Sequence, residues 1–460
     1  MHSYDEATEA LSRSVIKYAL ERVRMDPPLD GPLAPADLEA AVGATITPTG
    51  LGGEEALRLW TEVLAPACIS QDHPRALSFV PSAPTEASVL FDLVVGASAI
   101  YGGSWMEGAG AVTVENQALR WIADLAGLPA GAGGCFVSGG SAGNLSALVA
   151  ARHAAATTRG SEGRGTEGRD RPHRWVVACS AEVHSSVASA AQVMDIDVLD
   201  VPTDARGRMS GEAIAAAIAA APTEVRDGLF AVVATSGTTN AGIVDDLAGA
   251  ADAAEAHHLW LHIDGAYGGA ALAAPSARGL FAGVERADSI VVDPHKWLFA
   301  PFDCAALVYR DPSLARAAHT QKAAYLDVLT DSDEWNPSDY AYHLSRRARG
   351  LPFWFSLATH GTDAYAAAVE TVLRVTREGA AMIDALPHTE LVMEPELSVI
   401  LYRRVGWRPA DYKAWSDRVL AEGLTLSVPT SWRGETLMRA CLVNPRTTTD
   451  DLRLIVDSMT

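Results

Sequence analysis

A lysine set among apolar residues is the first feature that needs a chemical reason. In "VVDPHKWLFAPFDC", residues 291–304, Lys296 follows the apolar run "SIVVDPH", with His295 directly before it and Trp297 directly after. A lysine in such surroundings is costly unless it is paired, uncharged or in covalent use. Four other polar stretches stand at the ends of apolar, strand-like runs, where α/β folds present ligands. "GCFVSGGSAGNLSALVAAR" runs into Ser138-Gly139-Gly140-Ser141 and then a helix. Its glycines let the backbone approach an anion, and the helix start supplies free N–H groups. It lacks the GK[ST] ending of a nucleotide loop and the spacing of a dinucleotide fingerprint, and a plain tight turn fits it as well. Asp264 closes "LWLHID", either as a helix cap or as the partner of a protonated ring nitrogen. His184 follows "RWVVACS", a place where a lone histidine is commonly structural, and "ATSGTTNAGIVDD" ends a strand in a loop with Thr238 and Thr239.

The elements that must position these groups are legible in outline. "GCFVS", "RWVVACS", "DIDVLDV", "GLFAVVATS", "LWLHID", "SIVVD" and "AALVYR" read as short buried strands, separated by helical stretches such as "GEAIAAAIAAA" and "AGAADAAEAHH". That alternation predicts an α/β domain with a mainly parallel sheet. Before it, residues 5–25, "APADLEAAV" and "GGEEALRLWTEVLAPA" predict three helices, ending near His73. After residue 355, long helices with the strands "LSVILYRR" and "TLMRACLV" predict a smaller α+β domain. The expected division is 1–75, 76–355 and 356–460. Residues 156–172, rich in Gly, Arg and Glu, read as a surface loop.

Composition limits the function classes. The chain has 460 residues, too many for one small core, and carries 36 Lys+Arg against 57 Asp+Glu, a net charge of -21. That balance argues against nucleic-acid or anionic-membrane partners. No apolar run reaches the ~20 residues of a membrane span, and the charged, helix-patterned N-terminus has no signal-peptide core. The five cysteines are scattered without paired spacing, so neither a disulfide framework nor a metal site is expected. The expectation is a reduced, cytoplasmic, soluble protein.

Together the stretches supply an anion cradle, a carboxylate at a strand end, hydroxyls, a histidine and a lysine. Pyridoxal 5'-phosphate requires such a set, because its aldehyde forms a Schiff base with a lysine, its phosphate needs donors and its ring nitrogen needs a carboxylate. "HPRALSFVPSA", "GGSWMEGAGAVTVENQALRWI", "SGGSAGNLSAL", "HSSV", "SGTTNAG", "HIDGAYGG" and "DPHKWL" then follow one another in an order and spacing that resembles the group II pyridoxal-phosphate-dependent amino-acid decarboxylases. The resemblance runs from about His73 to Arg349. It implies the fold type I architecture, with a mainly parallel seven-stranded sheet, and a homodimer whose active sites are shared between subunits. It implies Lys296 as the Schiff-base lysine with His295 before it, Asp264 as the ring-nitrogen carboxylate, Ala266 under the ring and His184 over it. Gly140 and Ser141 match the phosphate cradle, and Thr239 matches a hydroxyl near the cofactor. Phe79, Val80, Pro81 and Ser82, with Tyr101 and Gly103, match the substrate and phosphate loops. Tyr325 matches the tyrosine that returns a proton to the carbanion, and the polar loop that follows it, 326–340, is expected to act as a lid.

The resemblance thus implies decarboxylation of an L-amino acid to the amine and CO₂, with burial lowering the pKa of Lys296. Other fold type I lyases or aminotransferases, and a cofactor-free binding protein, are the alternatives. An aromatic substrate is the leading expectation, with Gly103 making room for a wide ring. A diamino acid facing Glu107, or an aliphatic or acidic amino acid, is the alternative. Two positions depart from the family pattern. Asp293 stands where many relatives have asparagine, so direct contact of its side chain with the phosphate is not expected, and Ala142 replaces a glutamate common in bacterial members.

Overall fold

The computed structural model describes residues 2–159, 172–321 and 334–459. Seven strands form its central sheet: β1 (Gly133–Val137), β2 (Val176–Ser180), β3 (Asp197–Val201), β4 (Leu229–Thr235), β5 (Trp260–Asp264), β6 (Ser289–Val292) and β7 (Ala305–Tyr309). Each coincides with a run read from the sequence to within two residues at either end. The spatial order is β1-β7-β6-β5-β4-β2-β3. Strands β3, β2, β4, β5 and β6 pair in parallel, while β7 runs against both of its neighbours, β6 and β1. The sheet is therefore the mainly parallel, seven-stranded one expected.

These strands are apolar throughout because both faces are covered. Along β7, Ala306 and Val308 join the core on one face, and Ala305, Leu307 and Tyr309 join the core on the other. Helix α5 (Trp105–Leu125) packs beside β1, and helix α6 (Gly140–Thr158) lies across β4 to β7. Helix α7 (Ser185–Met194) follows β2. Residues 156–158, expected in a loop, are the last turn of α6, and 160–171 lie outside the described residues.

The N-terminal segment holds α1 (Glu6–Arg24), α2 (Pro35–Val42) and α3 (Gly53–Leu59), followed by α4 (Glu86–Ser98). Asp5 caps α1 by accepting the Thr8 N–H, and neither α1 nor α2 has a buried residue. Beyond residue 388 a second sheet is antiparallel, in the order β10-β11-β9-β8, with β8 (Thr389–Leu391), β9 (Val399–Arg404), β10 (Pro429–Trp432) and β11 (Glu435–Cys441). It is stitched to the segment 76–78, where the Cys441 N–H donates to the Leu77 carbonyl. All five cysteines are free thiols. Among the described residues no helix is long and apolar enough to cross a membrane, and no group of three metal-ligating side chains converges.

Candidate active site

The carboxyl ends of β4, β5 and β6 and the loop after β1 meet at one edge of the sheet. Beyond β6 the chain makes a compact loop, 293–304, that returns into β7. It is tied by the Lys296 N–H to the Asp293 carbonyl, 2.9 Å, and by the His295 N–H to the Cys304 carbonyl, 3.1 Å. The His295 ring lies on the same residue, with Nδ1 2.7 Å from that carbonyl oxygen and 3.1 Å from the Cys304 N–H. Burial holds the His295 pKa below its ordinary value, against the opposing pull of Asp293.

Lys296 Nζ lies 3.0 Å from Asp293 Oδ2. This corrects the expected lysine chemistry. Burial does act to lower the Lys296 pKa, but the Asp293 carboxylate, reinforced by Asp264, outweighs it, and the net shift is upward. Asp293 itself is 1% exposed and its Oδ2 also accepts the Gly140 N–H at 3.2 Å, while Oδ1 has no partner among the described residues. A buried carboxylate needs charge partners and donors, and Lys296 and Gly140 supply them.

Gly140 starts α6 where only a hydrogen fits. A Cβ there would lie 2.9 Å from the Ala266 Cβ and 3.1 Å from Asp293 Oδ2. One turn on, a Cβ at Gly143 would lie 2.6 Å from Val291 Cγ2. These glycines let α6 sit directly on β6 with its first turn at the strand ends, and Ser141 is exposed in that turn. The Gly140 N–H is already engaged by Asp293, so an anion at this helix start would take its donors from the residues that follow.

Asp264, 4% exposed, ends β5. Its Oδ1 accepts the Ala266 N–H at 3.1 Å and its Oδ2 accepts Nδ2 of Asn144 at 2.9 Å. The same amide donates to Ser186 Oγ, 2.9 Å, which lies 2.8 Å from His184 Nδ1. The Ser186 main-chain N–H donates to that nitrogen as well, 3.2 Å, making His184 the cap of α7. Asn144 and Ser186 were not among the residues expected from sequence. A polar residue on the apolar inner face of α6 was the available signal.

The substrate-side residues divide into two groups. Phe79 is exposed with φ +58°, Val80 packs against the main core, Pro81 is buried, and Ser82 Oγ donates to the Ala300 carbonyl at 3.3 Å. This loop therefore touches the lysine loop directly. Arg439, on β11, clamps it: Nη1 donates to the Phe79 carbonyl, Nη2 to that of Thr239, both 2.5 Å, and Nε to that of Asn240, 3.1 Å. Arg439 is 6% exposed and meets no carboxylate within ion-pair distance among the described residues. It too is missing from the sequence reading.

Tyr101 and Gly103 are joined to another segment. Tyr101 Oη donates to the Leu344 carbonyl, 2.9 Å, and the Gly103 carbonyl accepts the Ser338 N–H, 3.1 Å. The Tyr101 phenol occupies the space beside Gly103 where a Cβ would go, so Gly103 does not open room for a substrate ring here. Glu107 accepts the Ser104 hydroxyl, 2.8 Å, in the first turn of α5. Tyr325 and most of the expected lid lie outside the described residues. In its last part Pro337, Ser338 and Asp339 form a buried turn, and Trp335 stacks on Tyr340.

An α/β sheet that gathers a buried lysine–carboxylate pair, a second carboxylate and a glycine-led helix start at its strand ends defines a class of enzyme that works through an amine. The pyridoxal-dependent decarboxylase conserved domain matches residues 54–405, and the chain belongs to that family, as a pyridoxal-phosphate-dependent amino-acid carboxy-lyase. The aromatic-L-amino-acid decarboxylase of Bacillus atrophaeus is 30% identical over 397 residues, 84% of this chain and 80% of that protein. The L-2,4-diaminobutyrate decarboxylase of Rhizobium meliloti is 30% identical over 406 residues, 84% and 77% of the two chains. The crystal structure of Oryza sativa TDC with PLP and tryptamine covers 100% of this chain and 99% of its own, with a TM-score of 0.90 at 22% identity, a likeness of fold. The donor set fits the cofactor. Besides the amine, the held carboxylate and the helix start, the hydroxyls of Ser180, at the end of β2, and Ser236, just past β4, are buried without a partner among the described residues.

Proposed function

We propose that this decarboxylase acts on an aromatic L-amino acid, as a cytoplasmic homodimer, with Lys296 as the amine that holds the cofactor. The observation that carries this reading is the Lys296–Asp293 pair at 3.0 Å, set beside Asp264 and the start of α6. In the same reading Asp264 holds the ring nitrogen, Ala266 and His184 border the ring, Thr239 stands near the cofactor, and Ser141 with the first turn of α6 holds the phosphate.

Bound pyridoxal 5'-phosphate supplies an aldehyde for an amine and an electron-withdrawing ring that makes loss of CO₂ from Cα possible. The side chains of the chain do the rest. Lys296 Nζ gives its proton to Asp293 Oδ2, the acceptor 3.0 Å away, before the amine acts as a nucleophile. Asp264 meets the ring as a fixed acceptor, because Asn144 and the Ala266 N–H hold both of its oxygens. Arg439 supplies the cation for the substrate carboxylate: it is buried, it meets no carboxylate among the described residues, and it joins the two loops that frame the site. Phe79 and Val80 offer apolar surface to the substrate side chain.

Two observations support an aromatic substrate over a diamino acid. The acidic group a diamino acid would need, Glu107, is engaged by Ser104, and the loop beside the lysine presents an exposed phenylalanine. The test is CO₂ release from a panel of L-amino acids, with Lys296→Ala as control. Amine and CO₂ are expected from Trp, Tyr or Phe and none from the control. Turnover of 2,4-diaminobutyrate or glutamate without turnover of any aromatic amino acid would overturn the substrate assignment. Activity retained in Lys296→Ala would overturn the role of the lysine.

A further inference from the structure

Three buried polar side chains lie beneath the site, on the face of β5 covered by α6. Trp260, His262 and Asp264 alternate along β5 and so point to one side. His262 and Ser289 are 0% exposed, Asn144 is 1%, and they sit against an apolar core that includes Trp260, Leu148 and Ala151. Polar groups at that depth are tolerated only when each donor and acceptor is matched. Here the matching has one direction.

Trp260 Nε1 can only donate, and it does so to Ser289 Oγ at 2.8 Å. Ser289 Oγ has no other acceptor in reach among the described residues, so its hydrogen goes to His262 Nδ1, 2.8 Å away. His262 then carries its own hydrogen on Nε2, which faces Asn144 Oδ1 at 2.9 Å. That contact fixes which way the Asn144 amide is turned, so both Nδ2 hydrogens point to the site, one to Asp264 Oδ2 and one to Ser186 Oγ, each at 2.9 Å. Ser186 Oγ, having accepted, donates to His184 Nδ1, and the Ser186 N–H converges on the same nitrogen. His184 is left with its hydrogen on Nε2. Reversing the amide would set Asn144 Oδ1 against the Asp264 carboxylate and leave the His262 N–H facing another donor.

We infer that Asn144, oriented by His262 and Ser289, is a positioning residue that fixes the Asp264 carboxylate and the His184 tautomer through one amide group. The inference rests on the cofactor-facing roles proposed above for Asp264 and His184. Burial supports it by pushing His262 down to about 4, so the imidazole stays neutral and keeps a single hydrogen to place. Asp264 and His184, far apart in sequence, are then coupled through the back of the sheet rather than through the ligand.

The test uses the full-length protein and four variants: Asn144→Leu, His262→Leu, His262→Gln and Asp264→Asn. Glutamine keeps an N–H near the position of His262 Nε2 and so keeps the amide of Asn144 turned, whereas leucine does not. Cofactor affinity is read by absorbance titration with pyridoxal 5'-phosphate, steady-state kinetics are split into kcat and KM, and melting of the cofactor-free chain reports folding. Asn144→Leu and His262→Leu are expected to bind the cofactor at least about tenfold more weakly. Their kcat falls while KM changes less than about threefold, and His262→Gln stays within about threefold of the parent throughout. If Asn144→Leu does not fold, the leucine and glutamine pair at position 262 decides alone. Equal loss in His262→Gln and His262→Leu would overturn the inference, since only packing would then matter. Loss of affinity in Asp264→Asn without loss in Asn144→Leu would overturn it while leaving the proposed function standing. Unchanged affinity in Asp264→Asn would instead overturn the reading of Asp264 on which it rests.

Discussion

Asp293 decides how Lys296 behaves. The two are three residues apart in a tight loop, and the carboxylate turns inward to the amine rather than outward to solvent. Because the folded lysine keeps its proton to higher pH than an unfolded one, the pair stabilises the fold in full below the ordinary lysine value, and that contribution is lost as pH rises through the raised folded value. In Asp293→Asn the balance reverses: burial then outweighs what Asp264 adds, and the amine titrates at lower pH. The pH midpoint for capture of pyridoxal 5'-phosphate by the cofactor-free chain is expected to fall by at least about one unit. An unmoved midpoint would show that the ion pair does not set the state of the amine. The lysine is legible in the sequence because its apolar neighbours make it conspicuous. The direction of its pKa shift is not, because a loop sequence does not say which way a nearby carboxylate turns. Arg439 stays hidden for a related reason: it looks like an ordinary strand residue until the two loops it clamps are folded against it.

At the scale of elements, the site depends on how closely α6 approaches β6. Gly143 permits that approach, since a Cβ would stand 2.6 Å from a methyl of Val291, a buried and χ1-stiff side chain. Gly143→Ala gains up to about 1 kcal/mol in helix propensity but forces overpacking that costs about 1–3 kcal/mol. A net loss of up to about 2 kcal/mol is expected by denaturant unfolding, together with weaker cofactor binding as the first turn of the helix lifts. Equal or greater stability would mean that the helix has room to spare. Seven strands of the central sheet can be found from their apolar runs, but the reversal of β7 cannot, because a strand buried on both faces carries no mark of its direction. In the second sheet, β8 has three residues and β10 begins at Pro429 on an edge. Such short or proline-led segments read as loops.

At the scale of the whole molecule, α1 and α2 are secondary structure without a core of their own. Neither has a buried residue, and Tyr4 and Ile16 stand exposed. A helix of this length gains little from propensity alone and needs a packed face. The proposed homodimer provides one. Light scattering at micromolar concentration is expected to give twice the mass of the chain, and a monomer at that concentration would overturn the proposal. Tyr101 and Gly103 belong to this scale as well. The resemblance implies them as site residues, yet within one chain they bind the segment 338–344. A sequence carries no record of which subunit a residue serves.

The reversed strand has a consequence for the order in which the molecule can assemble. Because β7 returns antiparallel to β6 at the same edge, the lysine loop is closed by strands adjacent in sequence. Elsewhere in the sheet the paired strands are separated by longer helical connections or, for β1 and β7, by most of the domain. Short closures carry the smallest loss of chain entropy, so the β6–β7 unit can form early and from local contacts. The amine and its carboxylate would then be in register before the distant parts of the site arrive, and the remaining strands would be built onto a finished anchor.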